Sequence, residues 1–504
     1  MIWLLLIAAA GMIIHLITYN SLGFHRDELL YLALGKHLSA GYWSNPPLIG
    51  FISYAAQQLP FNALFSIRLI AALAGAVVVI LTGLTARELG GSVYSMVLAA
   101  ISLSCSIIFL RAFSMFQPVP FDILFWTLTL YFLLRYIRTK KPLFVILTGA
   151  SIGLGFLNKY MLAFLVIALV ASALLTKHRK LLWNKYTGMA LFVAFSIFLP
   201  NLIWQYIHGF PVIKHMQELA DTQLVNVSRL NTLIEQLLMF TIISVVWIAG
   251  LLWLFSSKAK EYRLFGIAYL IVLAMILVGK GKNYYMAGMY PFLLAAGGVA
   301  WESMIKVRRV RNAFIIGLIL LSLPFFAVSI PFMKADKQAE FYEKMPQGIG
   351  LEAITRWEDG NQHPLPQDFA DMLGWDELGK IVVNTCDTIA DKERIMIFAE
   401  NYGQAGAIDL AGNGKLPEAV SFSDSYVLWA PDTISQSKNI FIYVNHGMGD
   451  DVKSMFTRID RVGSITQPLA REFGCTVYLC RDPNPQFRAF WLQQVKEIKD
   501  AYLK

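Results

Sequence analysis

Long apolar stretches alternate with short polar connections over the first two thirds of the chain. A helix needs about 20 mostly apolar residues to cross a bilayer, and about eleven stretches approach that length. They are residues 2–20, 66–86, 92–110, 121–138, 142–157, 160–176, 187–206, 234–256, 263–279, 288–304 and 312–332. The pattern predicts a polytopic α-helical membrane protein with about eleven transmembrane helices.

The pattern changes at residue 333, where charged residues, Asn and Gly become frequent. Short β-type runs follow, namely KIVVNT, RIMIFAE, SYVLWA, NIFIYVN and CTVYLC. Helical stretches lie around them, including QDFADMLGWDELGKIV and the terminal FRAFWLQQVKEIKDAYLK. Because strands that alternate with helices are typical of α/β folds, we predict two domains. Residues 1–332 form the transmembrane domain, and residues 333–504 form a small α/β domain.

Composition agrees with this picture and excludes a soluble enzyme, since 56% of the residues are hydrophobic and 15% are charged. The net charge of +9 raises the possibility of a nucleic-acid partner. However, Lys and Arg concentrate in runs at 135–141, 177–185, 258–263 and 306–311, between apolar stretches. Such runs mark cytoplasmic loops, so we expect no nucleic-acid partner. With a retained, uncleaved first helix and a cytoplasmic N-terminus, the 333–504 domain lies outside the cytoplasm.

This topology leaves five segments on the outer face, which are 21–65, 111–120, 158–159, 207–233 and 280–287. The first contains the run HRDE at 25–28, at the start of a predicted amphipathic helix from Asp27 to Leu38 along the membrane interface. An acidic residue at a helix start caps free backbone amides. Capping accounts for one of Asp27 and Glu28 but not for both, because adjacent helical residues point in different directions. Catalysis is the alternative role.

Further ionisable residues lie at the same outer ends. Asp122 is at membrane depth, where a charge is costly and usually faces a cavity or a partner such as Arg111. Lys159 and Lys282 occupy outer turns, where they either extend to lipid headgroups or bind an anion. A carboxylate can accept the proton of an attacking hydroxyl, and cations can stabilise a leaving phosphate. The combination favours transfer of a group from a lipid phosphate.

The run HRDELLYLALGKHLSAGYWSNPPL resembles the first outer loop of the bacterial protein O-mannosyltransferase and aminoarabinose (lipid A) transferase family. These are membrane glycosyltransferases of the GT-C fold. The resemblance continues through QPVPFDILFWTLTLYFLLRY, GASIGLGFLNKYMLAFL and GKNYYMAGMYPFLLAAGG. It implies an inverting enzyme of the bacterial inner membrane. Such an enzyme moves a sugar from a polyprenyl-phosphate carrier, among the membrane lipids, to a hydroxyl of a protein, lipid A or a cell-envelope glycan on the outer face.

The resemblance also implies roles for particular residues. It assigns the essential acid to Asp27, with Glu28 as its neighbour, and a second catalytic acid to Asp122. It assigns a donor-phosphate contact to Lys159, to which we add Lys282 and Arg111 from their position. The substrate loops carry the prolines and aromatics Tyr42, Trp43, Pro46, Pro47, Tyr284 and Tyr285. We expect the prolines to fix the path of the loop. Tyr42 and Trp43 either stack on a sugar ring or anchor the loop at the interface, and we favour anchoring; Tyr284 and Tyr285 are expected at the interface as well.

No metal ion is required in principle, because a charged phosphate is already a good leaving group. Hard oxygen ligands for a divalent ion are nevertheless available from Asp27, Glu28 and Asp122. Two other functional classes stay open. A transporter or flippase of lipid-linked sugars would show inverted repeats and broken helices, which we do not find in the sequence. A membrane-anchored sensor that binds envelope material would place its function in the 333–504 domain.

Overall fold

The computed structural model describes residues 1–222, 224–345 and 354–503. The helices up to residue 329 are α1 (Ile2–Thr18), α2 (Arg26–Lys36), α3 (Leu48–Gln57), α4 (Ala63–Glu88), α5 (Val93–Ser104), α6 (Ile107–Ala112), α7 (Pro118–Thr139), α8 (Pro142–Asn158), α9 (Leu162–Leu174), α10 (Lys185–Ile207), α11 (Pro211–Thr222), α12 (Arg229–Leu238), α13 (Ser244–Phe255), α14 (Arg263–Val278), α15 (Tyr290–Met304) and α16 (Arg308–Ser329). Every predicted apolar stretch overlaps at least one of them.

Two of the predicted spans are interrupted. The stretch 92–110 breaks at Cys105 and Ser106, between α5 and α6. The stretch 234–256 falls on α12 and α13, which belong to a pair of helical segments bent by 91°. Within the described ranges, four helices are long and apolar enough to cross a membrane, or five if the bent pair counts as one span. The four are α4, α7, α10 and α16, so a total of eleven crossings stays a prediction.

Helix α4 lies at the centre of the bundle, where it packs against α1, α5, α7 and α15. Its small residues permit this close packing. A Cβ atom on Gly83 would lie 2.4 Å from Leu4 Cδ2 on α1, and one on Gly75 would lie 2.6 Å from the Phe113 ring. Glycine at these positions therefore sets how closely α1 and the α6 segment approach α4.

The C-terminal part contains helices and one mixed sheet. Its helices are α17 (Ala335–Glu343), α18 (Gln367–Ala370), α19 (Trp375–Asp387), α20 (Tyr402–Gly412), α21 (Asp450–Lys453) and α22 (Pro485–Leu503), and its strands are β1 (Ile395–Ala399), β2 (Ala419–Val420), β3 (Ile440–Asn445), β4 (Phe456–Ser464) and β5 (Thr476–Pro483). The strand order is β2-β1-β3-β5-β4. Strands β2, β1 and β3 are parallel, whereas β5 is antiparallel to both β3 and β4.

Three of the five predicted β-type runs form strands, because RIMIFAE, NIFIYVN and CTVYLC fall on β1, β3 and β5. Two do not. KIVVNT lies in α19, which buries Leu378, Val382 and Cys386 four residues apart along one helical face. SYVLWA forms a 3-10 turn over Asp424–Leu428. Strand β4 was not predicted, since its side chains are mostly exposed or half-buried and lack an apolar period.

The opening loop and the C-terminal sheet share one hydrophobic core. Leu30 and Leu34 of α2 belong to the same buried cluster as Ile397, Ile442 and Val477 of the sheet. Helix α2 packs between α3 and α20, and residues 28–35 are all buried. The interpretation of α2 as an interfacial helix is therefore wrong. A second cluster, around Phe441, Phe487 and Trp491, lies entirely within the C-terminal part, so the division at residue 332 stays a prediction.

Candidate active site

The predicted outer loops meet at one end of the helical bundle. Loop 21–65 meets loop 111–120, because Gln117 Nε2 lies 3.3 Å from Asp27 Oδ2. Loop 21–65 also meets loop 207–233 through the Trp43 and His215 rings, whose centroids are 6.3 Å apart. Lys159, in the third outer segment, lies over the Tyr284 ring of the fifth at 5.2 Å. Segments distant in sequence thus form one polar region, which the C-terminal part covers.

Glu28 is a structural residue rather than a catalytic one. Its carboxylate forms a bidentate pair with Arg68 of α4, at 2.9 Å from Nε and 2.7 Å from Nη2. It also accepts the backbone N–H groups of His25, at 2.8 Å, and Phe116, at 2.9 Å. The His25 contact completes a capping box at the start of α2. With four hydrogen bonds and no exposed surface, Glu28 has no lone pair left for a substrate.

Asp27 differs from its neighbour, since 32% of its side chain is exposed. Its Oδ1 accepts a hydrogen bond of 2.8 Å from the Tyr402 hydroxyl, and its Oδ2 accepts the 3.3 Å contact from Gln117. The backbone N–H of Asp27 donates to His25 Nδ1 at 3.1 Å. Capping is therefore performed by His25 and Glu28, and the Asp27 carboxylate remains available at the surface of the site.

Asp122 lies one turn inside α7 and is buried, with Trp126 Nε1 donating to its Oδ1 at 3.0 Å. Lys159 interacts electrostatically with Asp122 and with Lys282. Its ammonium group also faces the rings of Tyr284 and Tyr285, at 5.2 and 5.3 Å. Of the cations considered as partners of Asp122, Lys159 is the one that interacts with it, whereas Arg111 pairs with Asp368 instead.

The other two predicted phosphate ligands pair with acidic residues of the C-terminal part. Arg111 binds Asp368, with Nε 2.7 Å from Oδ2. Lys282 Nζ lies 3.4 Å from Glu358 Oε1. Burial would raise the pKa of the Asp368 carboxyl, but Arg111 and the nearby His25 and Lys282 hold it below its usual value. Arg111 and Lys282 therefore belong to one electrostatic group, and each lies close to an anion.

Tyr42 and Trp43 are buried inside the protein and do not anchor the loop at a membrane interface, contrary to our expectation. The Tyr42 hydroxyl lies 2.9 Å from the Leu34 carbonyl, and its ring leaves room only for glycine at position 50. Trp43 stacks near Tyr502 of α22, with centroids 4.0 Å apart. Pro46 and Pro47 are buried too, and Pro47 precedes the first turn of α3, in agreement with a role in fixing the loop.

Sequence reasoning did not find four residues of this region, which are Arg68, Gln117, Asp368 and Tyr402. For Arg68 a signal was present, since an ionisable residue within an apolar span usually has a buried partner. For Asp368 and Tyr402 there was none, because their contacts join positions more than 250 residues apart.

A joint metal site of Asp27, Glu28 and Asp122 does not fit this geometry. The Glu28 carboxylate is fully used by Arg68 and two backbone amides. Among the residues that the structure describes, no three His, Cys, Asp or Glu side chains lie together as metal ligands.

Known proteins resemble the chain at two levels, in sequence and in fold. Residues 44–204 match the family model described as dolichyl-phosphate-mannose-protein mannosyltransferase. The lipid A galacturonosyltransferase RgtD of Rhizobium johnstonii is 27% identical over 209 residues, which cover 41% of this chain and 43% of RgtD. The lipopolysaccharide core galacturonosyltransferase RgtB of the same organism is 26% identical over 210 residues, or 40% of this chain and 42% of RgtB. The chain thus spans less than half the length of the curated relatives it matches.

The fold is similar over nearly the whole chain to that of ArnT from Cupriavidus metallidurans bound to undecaprenyl phosphate. The TM-score is 0.64 at 14% identity, with 95% of this chain and 98% of ArnT covered. The chain has the ArnT fold. The arabinofuranosyltransferase AftD from Mycobacteria also matches, with a TM-score of 0.52 at 13% identity, over 96% of this chain and 40% of AftD.

These matches confirm the family resemblance predicted from the sequence motifs. The ArnT fold and the long apolar helices make the chain a polytopic helical membrane protein with a C-terminal sheet. The number of crossings, the membrane in which the chain resides and the side on which its C-terminal part lies stay predictions.

Proposed function

We propose that the chain is a GT-C glycosyltransferase of the bacterial inner membrane that transfers a sugar from a polyprenyl-phosphate carrier to a hydroxyl acceptor on the outer face. One observation carries this proposal. The partly exposed carboxylate of Asp27 and the ammonium group of Lys159 both interact with Tyr284, at the end of the bundle formed by the predicted outer loops. Lys282 interacts with Lys159, and both Lys282 and Arg111 interact with Asp368, so three cations lie in this region.

In the proposed step, the acceptor oxygen attacks the anomeric carbon of the sugar from the face opposite the phosphate. Asp27 accepts the hydroxyl proton as the new C–O bond forms. The bond between the anomeric carbon and the phosphate oxygen breaks, and the lipid phosphate leaves with the electron pair. Attack from the opposite face inverts the anomeric configuration, and Asp27 later releases its proton to water.

The leaving phosphate gains negative charge, which fixed cations can stabilise. Lys159 is the first candidate, because it is half-buried and its counter-charge Asp122 lies below it in α7. Arg111 and Lys282 lie further toward the C-terminal part, where Asp368 and Glu358 hold them in place. The proposed step uses these side chains for charge compensation and involves no metal ion.

The relatives favour a lipid A or lipopolysaccharide acceptor over a protein. RgtD acts on lipid A and RgtB on the lipopolysaccharide core, and ArnT was found with undecaprenyl phosphate bound. We therefore propose lipid A or core oligosaccharide as the acceptor and a polyprenyl phosphate of undecaprenyl type as the carrier.

The test is mass spectrometry of lipid A and core oligosaccharide from cells with and without the chain, and with Asp27→Asn. We expect the wild type to add a sugar, and Asp27→Asn to lower the modified fraction by about 10²-fold or more, because it removes the base. Asp450→Asn is the matched control, since Asp450 lies in the first turn of α21, is 97% exposed and pairs with Lys453 of the same short helix.

The outcomes separate the three functional classes. An unchanged modification with Asp27→Asn, in cells that contain the variant at wild-type level, would contradict the catalytic assignment. A transporter would change the distribution of the donor lipid between the two leaflets without a covalent product. A sensor would leave both the donor lipid and the acceptor unmodified.

A further inference from the structure

Helix α20 of the C-terminal part lies directly against α2, the helix that carries Asp27. Two glycines permit the contact. A Cβ atom on Gly406 would lie 2.8 Å from Leu29 Cβ, and one on Gly403 would lie 2.7 Å from Arg26 Cγ. Real Cβ atoms do not approach so closely, so any other residue at these positions would push the helices apart. The close packing brings Tyr402, the first residue of α20, to Asp27.

Tyr402 is held at both ends of its side chain. Its ring lies under the Arg26 guanidinium, 4.5 Å from the ring centroid, and its hydroxyl donates to Asp27 Oδ1 at 2.8 Å. Burial and the Asp27 carboxylate raise the pKa of Tyr402 well above its ordinary value. The hydroxyl therefore keeps its proton at neutral pH and acts as a donor to the carboxylate.

We propose that Tyr402 is a positioning residue of the reaction, which orients the Asp27 carboxylate toward the acceptor hydroxyl. A carboxylate has about four lone-pair positions. Tyr402 takes one on Oδ1 and Gln117 takes one on Oδ2, so each oxygen keeps one for the acceptor. The inference rests on the proposed function and deepens it, because it makes the C-terminal part a component of the active site rather than a separate binding module.

The first test compares Tyr402→Phe with the wild type, using the purified full-length chain in detergent. The donor is the polyprenyl-phosphate glycolipid fraction of the cells that make the protein, and the acceptor is lipid A. Phenylalanine keeps the ring under Arg26 and removes only the hydroxyl. We expect kcat to fall roughly 10- to 100-fold through loss of orientation, with the KM of the donor unchanged. Tyr443→Phe is the control, since its hydroxyl contacts Asn445 within the same sheet.

The second test repeats Tyr402→Phe in an Asp27→Glu background. The longer glutamate side chain displaces the carboxylate from the Tyr402 hydroxyl. In that background, removal of the hydroxyl should change kcat little, so the losses in kcat caused by Asp27→Glu and Tyr402→Phe should be non-additive. Gly406→Leu provides an independent variant, because it keeps Tyr402 but separates α20 from α2. It should lower kcat as Tyr402→Phe does. Because position 402 is unchanged in this variant, a folding defect caused by the substitution at 402 cannot explain a loss that both variants share.

The failure of this inference is distinguishable from failure of the proposed function. If the wild type transfers sugar and Asp27→Asn does not, but Tyr402→Phe keeps the wild-type kcat, the positioning role is overturned and the proposed function stands. An equal loss in the wild-type background and in the Asp27→Glu background overturns it as well. If the wild type forms no covalent product, the proposed function fails and the inference fails with it.

Discussion

The two ends of the helical bundle hold their charged side chains in different ways. Helices α4 and α7 begin at the end that carries Asp27 and finish at the opposite end. At the first end, Glu28 and Arg68 form a pair with no more than 3% of either side chain exposed. At the opposite end, Glu88 pairs with Arg135 at 3.1 Å and with Arg138 at 2.8 Å, where both arginines are substantially exposed.

The difference shows what each set of charges is for. A buried pair costs several kcal/mol per ion in lost hydration, so its presence indicates a structural or functional requirement. An exposed pair costs little and stabilises little, and basic residues there mark the side of the membrane on which a loop lies. The Glu28 pair therefore fixes the loop that carries Asp27, whereas the Glu88 end, which we call the topology end, carries basic residues that the sequence analysis predicts to be cytoplasmic.

The largest effect on stability should come from Arg68→Met. The substitution leaves the Glu28 carboxylate buried beside two backbone amides and without its cation, which should cost about 3–5 kcal/mol of unfolding free energy. Thermal unfolding of the purified chain in detergent would measure the loss. Arg135→Met at the opposite end is the matched control. Equal unfolding midpoints for the two variants would contradict the structural role given to the Glu28 pair.

The next effect should come from Lys159→Met, which removes the cation above Asp122 without a change in length. We expect transfer to fall by about 10²-fold if Lys159 stabilises the leaving phosphate, and the fold to persist because Asp122 can bind a proton. Product formation on lipid A would report the change. Lys180→Met, in a basic run, should leave transfer at the wild-type rate, and a similar loss in both variants would refute a specific role.

A smaller effect concerns pH and Asp368. Since Arg111, His25 and Lys282 outweigh burial and lower the pKa of this carboxyl, the folded value lies below the unfolded value of about 3.9. The pair therefore stabilises the fold above that pH, and the contribution disappears as the pH falls through the folded pKa. Unfolding midpoints measured from roughly pH 5 to roughly pH 2 should drop more in the wild type than in Asp368→Asn. Parallel curves would show that the Arg111 pair adds nothing.

The smallest effect is expected for Glu88→Gln at the topology end. Its two arginines have 30% and 40% of their side chains exposed, so unfolding free energy should change by about 0–1 kcal/mol and transfer should not change. The same thermal and product assays apply. A loss comparable to that of Arg68→Met would remove the distinction between the two ends.

Features that depend on neighbouring residues could be predicted from the sequence, whereas features that depend on contacts between distant residues could not. Local patterns predicted three features correctly. These are the position of Asp27 beside apolar stretches, the basic runs, and the strands β1, β3 and β5. The distinction between Asp27 and Glu28 depended on Arg68 and Phe116, which lie 40 and 88 residues away. The hydrophobic periodicity of α2 predicted a helix at the membrane interface. This was wrong, because α20, from the far end of the chain, packs against α2.

The contacts of the Asp27 loop have a consequence for biosynthesis. Arg68, Gln117 and Tyr402 all bear on residues 27 and 28, and they leave the ribosome at widely separated times. The Asp27 carboxylate can reach its final orientation only after residue 402 has been made and α20 has docked. Under the proposed function, truncated products that have already inserted their first helices would lack this contact and would transfer sugar poorly.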